Sequence, residues 1–252
     1  MLKNKEILRN LEKVYSNKIF KIIGILTLVI YAFMFANTKV VSGYFEIINY
    51  ALTFPQFLML VFLPVILLSD VLILNLFDLR YELVMRYKNK RKYFIEILKN
   101  IFFSNTIIVS VSIMILLIII NFFAGANLSI FYLEKYGCYN IIYTIFIMIK
   151  TYILTFLFSF IFVMLYKLIN KKIAIILMIC LIGSTYVISY NLRQVVLFFE
   201  TPIYFMSYFT DGILYSNFGL RIFSFIYIIT IYSILLFIVY LRIINGKWDN
   251  EK

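Results

Sequence analysis

The sequence predicts an all-helical integral membrane protein with six transmembrane helices, and three observations carry that prediction. Of its 252 residues, 64% are hydrophobic and only 14% charged, and the mean hydropathy is +0.98, far beyond the apolar share of soluble domains. The apolar runs are continuous and about 20 residues long, the length that crosses a bilayer as a helix, whereas a β-barrel strand would alternate over about 10 residues. The charges collect between these runs, as expected where each span must satisfy its own backbone in lipid.

Taken in order, residues 1–21 form an amphipathic elbow helix. Ile7, Leu8, Leu11, Val14, Tyr15 and Ile19 recur at three- and four-residue spacing, and Lys3, Lys5, Arg9, Lys13 and Lys18 fill the other face. No short apolar core ending in small residues follows the basic start, so the expectation is a helix lying in anionic headgroups and not a cleaved signal. Residues 22–244 make one transmembrane domain, with spans at about 22–41, 54–76, 101–124, 141–168, 173–190 and 222–241, and residues 245–252 form a tail. The fourth run is overlong and is free to begin as an interfacial helix. Pro55 reads as the entry residue of span two, and Pro64, in its middle, as a kink.

An even number of spans puts both termini on one side. That side carries nineteen basic residues, in the amino tail, the loop after span two, the loop after span four (Lys167, Lys171, Lys172) and the carboxyl tail. The other side carries four: Lys39, Lys135, Arg193 and Arg221. The asymmetry places both termini in the cytoplasm. Between spans five and six, residues 191–220 include an apolar stretch broken by Glu200 and Pro202. It is either a re-entrant element, whose broken backbone needs protein or water around it, or an outer loop resting on headgroups through Phe and Tyr.

Several chemistries are disfavoured. There is no histidine, so the usual zinc ligand and general base are missing. The two cysteines, Cys138 in a loop and Cys180 in an apolar run, make no disulfide framework and read as structural. No phosphate-binding G-x-x-x-x-G-K-[ST] loop occurs, and no internal repeat suggests an inverted-repeat carrier. The charge excess of +12 serves topology, not nucleic-acid binding.

The densest charge lies at residues 77–100, with Arg80, Arg86, Lys88, Lys90, Arg91, Lys92 and Lys99 against Asp78, Glu82 and Glu96. Leu79, Leu83, Val84 and Tyr87 share one helical face, and Glu82 pairs with Arg86 at i,i+4. After a basic turn, Tyr93, Phe94, Ile97 and Leu98 open a second amphipathic helix, with Lys92 and Glu96 paired, that runs into span three. The apolar face and the mixed signs point to a docking surface for a cytoplasmic partner. Asp70 is the carboxylate inside an apolar run, about 9 Å from the inner end of span two, where it either marks a polar point on a substrate path or sits at an early-ending interface. Lys150 is expected to snorkel to the outer surface, and the two differ in depth, which argues against their pairing.

This arrangement resembles the permease subunits of ABC-2-type ATP-binding-cassette transporters, and the likeness concentrates in Ser69 to Leu98, SDVLILNLFDLRYELVMRYKNKRKYFIEIL. The family's frequent Glu-x-Glu-x-Gly-Thr pattern is degraded here to Asp78 and Glu82 without Gly-Thr. The resemblance implies a coupling helix between spans two and three, with Asp78, Arg80, Glu82, Arg86, Lys90 and Arg91 meeting the ATPase. It also implies two ATPase subunits that bind ATP and Mg2+, a second permease subunit, identical or related, and a bacterial plasma-membrane location. The permease itself would do no covalent chemistry. Its substrate is expected to be hydrophobic or amphipathic, a peptide first, along a path that includes Asp70, Pro64 and Glu200. Two other classes compete: an immunity or sensor protein against an antimicrobial peptide that works without an ATPase, and a channel or ion-coupled carrier.

Overall fold

The computed structural model describes residues 2–26, 44–53, 62–78, 90–123, 130–134, 137–191 and 218–245. Among them are seven helices: α1 (Leu2–Ser16), α2 (Tyr44–Thr53), α3 (Leu63–Asp78), α4 (Lys90–Phe123), α5 (Asn140–Leu168), α6 (Lys171–Asn191) and α7 (Phe218–Asn245). A helical segment at 18–26 continues from α1, and a two-residue hairpin, β1 (Tyr132–Leu133) with β2 (Cys138–Tyr139), precedes α5. Three helices are long and apolar enough to cross a membrane: Arg91–Ile115 within α4, Asn140–Leu168, and Phe218–Ile243 within α7.

The chain folds around α5, which packs against α2, α3, α4, α6 and α7. Half of its span is buried inside the protein, against 17% for that of α7, so α5 is the core of the bundle and α7 belongs to its rim. Side-chain pairs give the directions. Phe77 meets Tyr93 and Ser69 meets Ser104, so α3 and α4 are antiparallel. Asn105 meets Ser159 and Ser110 meets Tyr152, so α4 and α5 are antiparallel too. Phe146 touches both Phe218 and Phe225, and Phe160 and Tyr240 both flank Phe94, so α5 and α7 run parallel.

The break after α1 has a local cause. Asn17 Oδ1 accepts the backbone N–H groups of Ile19 (2.9 Å) and Phe20 (3.4 Å), capping the 18–26 segment. The apolar stripe of α1 is divided between two environments. Ile7, Leu11 and Val14 are buried against the bundle, whereas Leu8 (65% exposed) and Ile19 (60%) face outward. α1 packs on α3 and α4; it does not rest on headgroups alone, as its charge pattern suggested, because one row of its apolar face fits the groove between those helices.

Other expectations change as well. Pro64 is the second residue of α3 as described and follows a π-helical residue at Phe62; residues 54–61, which precede them, lie outside the described residues. α2 lies between the first two expected spans, and Ile48 and Leu52, four apart, bury the face it presents to α5. α4 begins at Lys90 and continues without interruption into its span. Its early apolar face of Tyr93, Phe94 and Ile97 is buried inside the chain, so that face is consumed by the bundle and not offered to a partner. Glu96 lies 4.0 Å from Lys99, at i,i+3, and Lys92 is exposed, which replaces the expected Lys92–Glu96 pair. Lys150 is 1% exposed and does not snorkel. Gly137, at φ 67°, makes the tight turn of the hairpin and donates to Leu133 O at 2.9 Å. Arg80, Glu82, Arg86 and Glu200 lie outside the described residues, as does most of 191–220.

Candidate functional site

The helices that meet around the middle of α5 bury polar side chains where lipid-like packing would favour apolar ones. Along α5, Asn140, Thr144, Thr151, Thr155 and Ser159 fall on the inward face. The threonines are largely self-sufficient: Thr144 donates to Asn140 O at 2.9 Å, Thr151 to Ile147 O at 2.8 Å and Thr155 to Tyr152 O at 2.9 Å. Such bonds to the preceding turn let a hydroxyl enter an apolar environment. Ser159 differs, because it takes a bond from another helix: Asn105 Nδ2 donates to Ser159 Oγ at 2.8 Å and to Thr155 O at 3.4 Å.

Asp70 on α3 completes this cluster. It is 0% exposed, and α3 continues for two further turns to Asp78, about 12 Å past it, so Asp70 is not at an early-ending interface. Ser159 is near enough to act on its carboxyl group, yet neither carboxyl oxygen completes a hydrogen bond. The preceding Ser69 shares a 2.6 Å contact with Ser104 Oγ, which in turn lies 3.1 Å from the Tyr15 hydroxyl of α1. Tyr15 also donates to Ser104 O at 3.3 Å. Burial pushes the pKa of Tyr15 up; the Ser104 bond lowers it and the Asp70 carboxylate raises it by smaller amounts, which keeps the phenol a donor. Two turns' reach along α1, Asn10 donates to Asn100 Oδ1 at 3.3 Å. The cluster thus joins α1, α3, α4 and α5. An ionised carboxylate this deep costs several kcal/mol of desolvation, and one hydroxyl bond returns about 1.5–3 kcal/mol, so Ser159 alone does not offset the charge.

A second knot closes one end of the bundle. The Tyr166 hydroxyl donates to Asp78, Lys167 Nζ lies 3.4 Å from the other Asp78 oxygen, and Lys171 donates to Asn75. Lys167 also sits over the rings of Tyr93 (5.4 Å) and Tyr166 (5.3 Å), while Phe77 meets Tyr93 edge to face at 5.8 Å. Asp78 is therefore held within the chain. Arg91 is exposed beside this knot, and Lys90 opens α4.

At the opposite end, buried Arg221 of α7 donates to the Tyr143 hydroxyl at 3.0 Å and lies 5.8 Å from its ring. Asn140 N donates to Phe131 O at 3.0 Å, and Phe131 N to Asn140 Oδ1 at 3.4 Å, docking the hairpin on α5. Burial pushes the Cys138 thiol up, and Arg221 lowers it in part; both cysteines are free.

Of the residues the sequence singled out, Asp70 enters the buried cluster, Pro64 lies two turns away on the same helix, and Asp78 enters the knot. Lys150 lies on the same helix as Ser159 but forms no ion pair with Asp70 among the described residues. Sequence reasoning missed Ser69, Asn105 and Ser159; the signal was the recurrence of Asn, Thr and Ser on one face of a run that otherwise reads as lipid-soluble. Among the described residues no group of three His, Cys, Asp or Glu side chains gathers to hold a metal ion. No family model, curated protein or solved structure matches the chain.

Proposed function

We propose that the chain is the membrane-spanning subunit of an ABC-2-type exporter, driven by a separate ATPase and moving a hydrophobic or amphipathic substrate, a peptide first. In this reading six spans place both termini in the cytoplasm of a bacterial cell, α1 is the amino-terminal elbow, and residues 77–100 hold the coupling element. Two such subunits, identical or related, form the path between two ATPases.

The observation that carries this reading is the mounting of the charged stretch. Antiparallel α3 and α4 lead into and out of it, and their ends are tied to α5 and α6 through Asp78, Tyr166, Lys167, Asn75 and Lys171. A force applied to Arg80, Glu82, Arg86, Lys90 or Arg91 would pass through packed helices to the cluster around Asp70. With Tyr93, Phe94 and Ile97 used inside the bundle, the charges and the residues of 79–89 would be left to meet the ATPase.

The test is co-expression with an ATP-binding-cassette ATPase encoded beside the gene, followed by purification in mild detergent. The ATPase is expected to be retained and its hydrolysis to respond to substrate. Charge reversal at Glu82 or Arg86 should weaken that response and leave insertion intact. A preparation that never retains an ATPase would sink the proposal in favour of a protein that works alone.

A further inference from the structure

Three buried acceptor atoms, both oxygens of Asp70 and Oδ1 of Asn105, have no hydrogen-bond partner, and their side chains approach one hydroxyl, that of Ser159. Asp70 is 0% and Asn105 3% exposed, so bulk water does not complete them. The amide of Asn105 cannot be turned to help, because its Nδ2 already serves Thr155 O and Ser159 Oγ. Donors are few. Ser159 has one hydrogen to offer, Ser69 and Ser104 bond each other, and Tyr15 is directed at Ser104. Among the described residues no ion pair reaches Asp70.

We infer that Asp70, Asn105 and Ser159 form a buried site for a single Na+, with α3, α4 and α5 each supplying oxygen. A carboxylate with neutral amide and hydroxyl oxygens is a hard ligand set, and its single negative charge matches a monovalent ion. A proton competes for the same carboxylate, since it turns one oxygen of Asp70 into a donor and leaves the Ser159 hydrogen for the other; sodium dependence at constant pH separates the two occupants. Facing the cluster from α1, the titratable group is Tyr15. Glu96 on α4 and Lys150 on α5 each lie nine residues from the proposed ligand on their own helix, about 13 Å along the axis. Because the ligands come from three helices, occupancy sets how those helices pack. The site does not depend on the exporter reading, since the chain by itself contains all three ligands.

The test uses the full-length chain in detergent, with Na+ as the probe. Binding of radioactive sodium and thermal unfolding in sodium chloride against choline chloride of equal ionic strength are measured at mildly alkaline pH. Saturable binding and a higher Tm in sodium are expected, both lost in Asp70→Asn. Ser159→Ala and Asn105→Ala should weaken binding roughly tenfold or more, as the loss of a coordinating or orienting group does. Equal unfolding in the two salts with no saturable binding overturns the site. So does a Tm that follows pH and ignores sodium, which would assign Asp70 as a neutral acid. Should Asp70→Asn not fold, the other two variants decide: binding unchanged in both overturns the assignment.

Discussion

Arg221 is a cation held inside an apolar bundle in part by a tyrosine hydroxyl. Its guanidinium is 3% exposed and donates to the Tyr143 hydroxyl across the α5–α7 contact. From the sequence, Arg221 was one of four outer-side charges and was counted for topology; nothing in its spacing reveals that a tyrosine 78 residues away meets it. Tyr143→Phe removes the acceptor but keeps the ring, and leaving a charged donor short of one partner costs about 1–3 kcal/mol. For a chain of this size the expected result is a Tm lower by several degrees, read by thermal unfolding in detergent. No change would mean that Tyr143 contributes only its ring. Lys150 makes the same point in reverse: snorkelling is available to a lysine whose helix faces lipid, and the burial of this face of α5 removes that option.

At the scale of elements, helix periodicity was legible and its use was not. The amino-terminal helix appears where Ile7, Leu11 and Val14 recur, but only packing separates those residues from exposed Leu8. The cap at Asn17 was a local signal passed over: an Asn between two helical stretches accepts the first free N–H groups of the second. Asn17→Ala should cost about 1 kcal/mol and Asn17→Ser much less, which thermal unfolding of the two variants would distinguish; equal loss would mean the break has another cause. In α4 the buried row at Tyr93, Phe94 and Ile97 makes a contrast with exposed Arg91. Phe94→Ala is expected to lose about 3–5 kcal/mol, while Arg91→Ala should stay within about 0.5 kcal/mol of the parent and act, under the proposed function, on ATPase coupling instead.

For the whole molecule, the charge asymmetry makes an independent prediction. In a background with Cys138 and Cys180 replaced, single cysteines at Lys3 and Lys247 should react with an impermeant reagent only after the membrane is opened from the cytoplasmic side. One at Lys135 should react on intact cells. Labelling of Lys3 and Lys135 from the same side would remove the even-span topology.

The sequence by itself determined the class and the helical periods, because lipid admits only elements that satisfy their own backbone, and the hydrophobic share and run lengths follow from that requirement alone. It also marked Asp70 and the charged stretch at 77–100 as exceptions to apolar composition. Tertiary structure decided which faces are inside: that α5 is the centre, that the apolar start of α4 is spent within the bundle, and that Asp70 approaches Ser159, to which Asn105 donates. Those facts depend on which side chains approach across three helices, and in an apolar chain hydrophobicity cannot choose among faces that are all apolar. Small polar side chains and their hydrogen bonds make that choice.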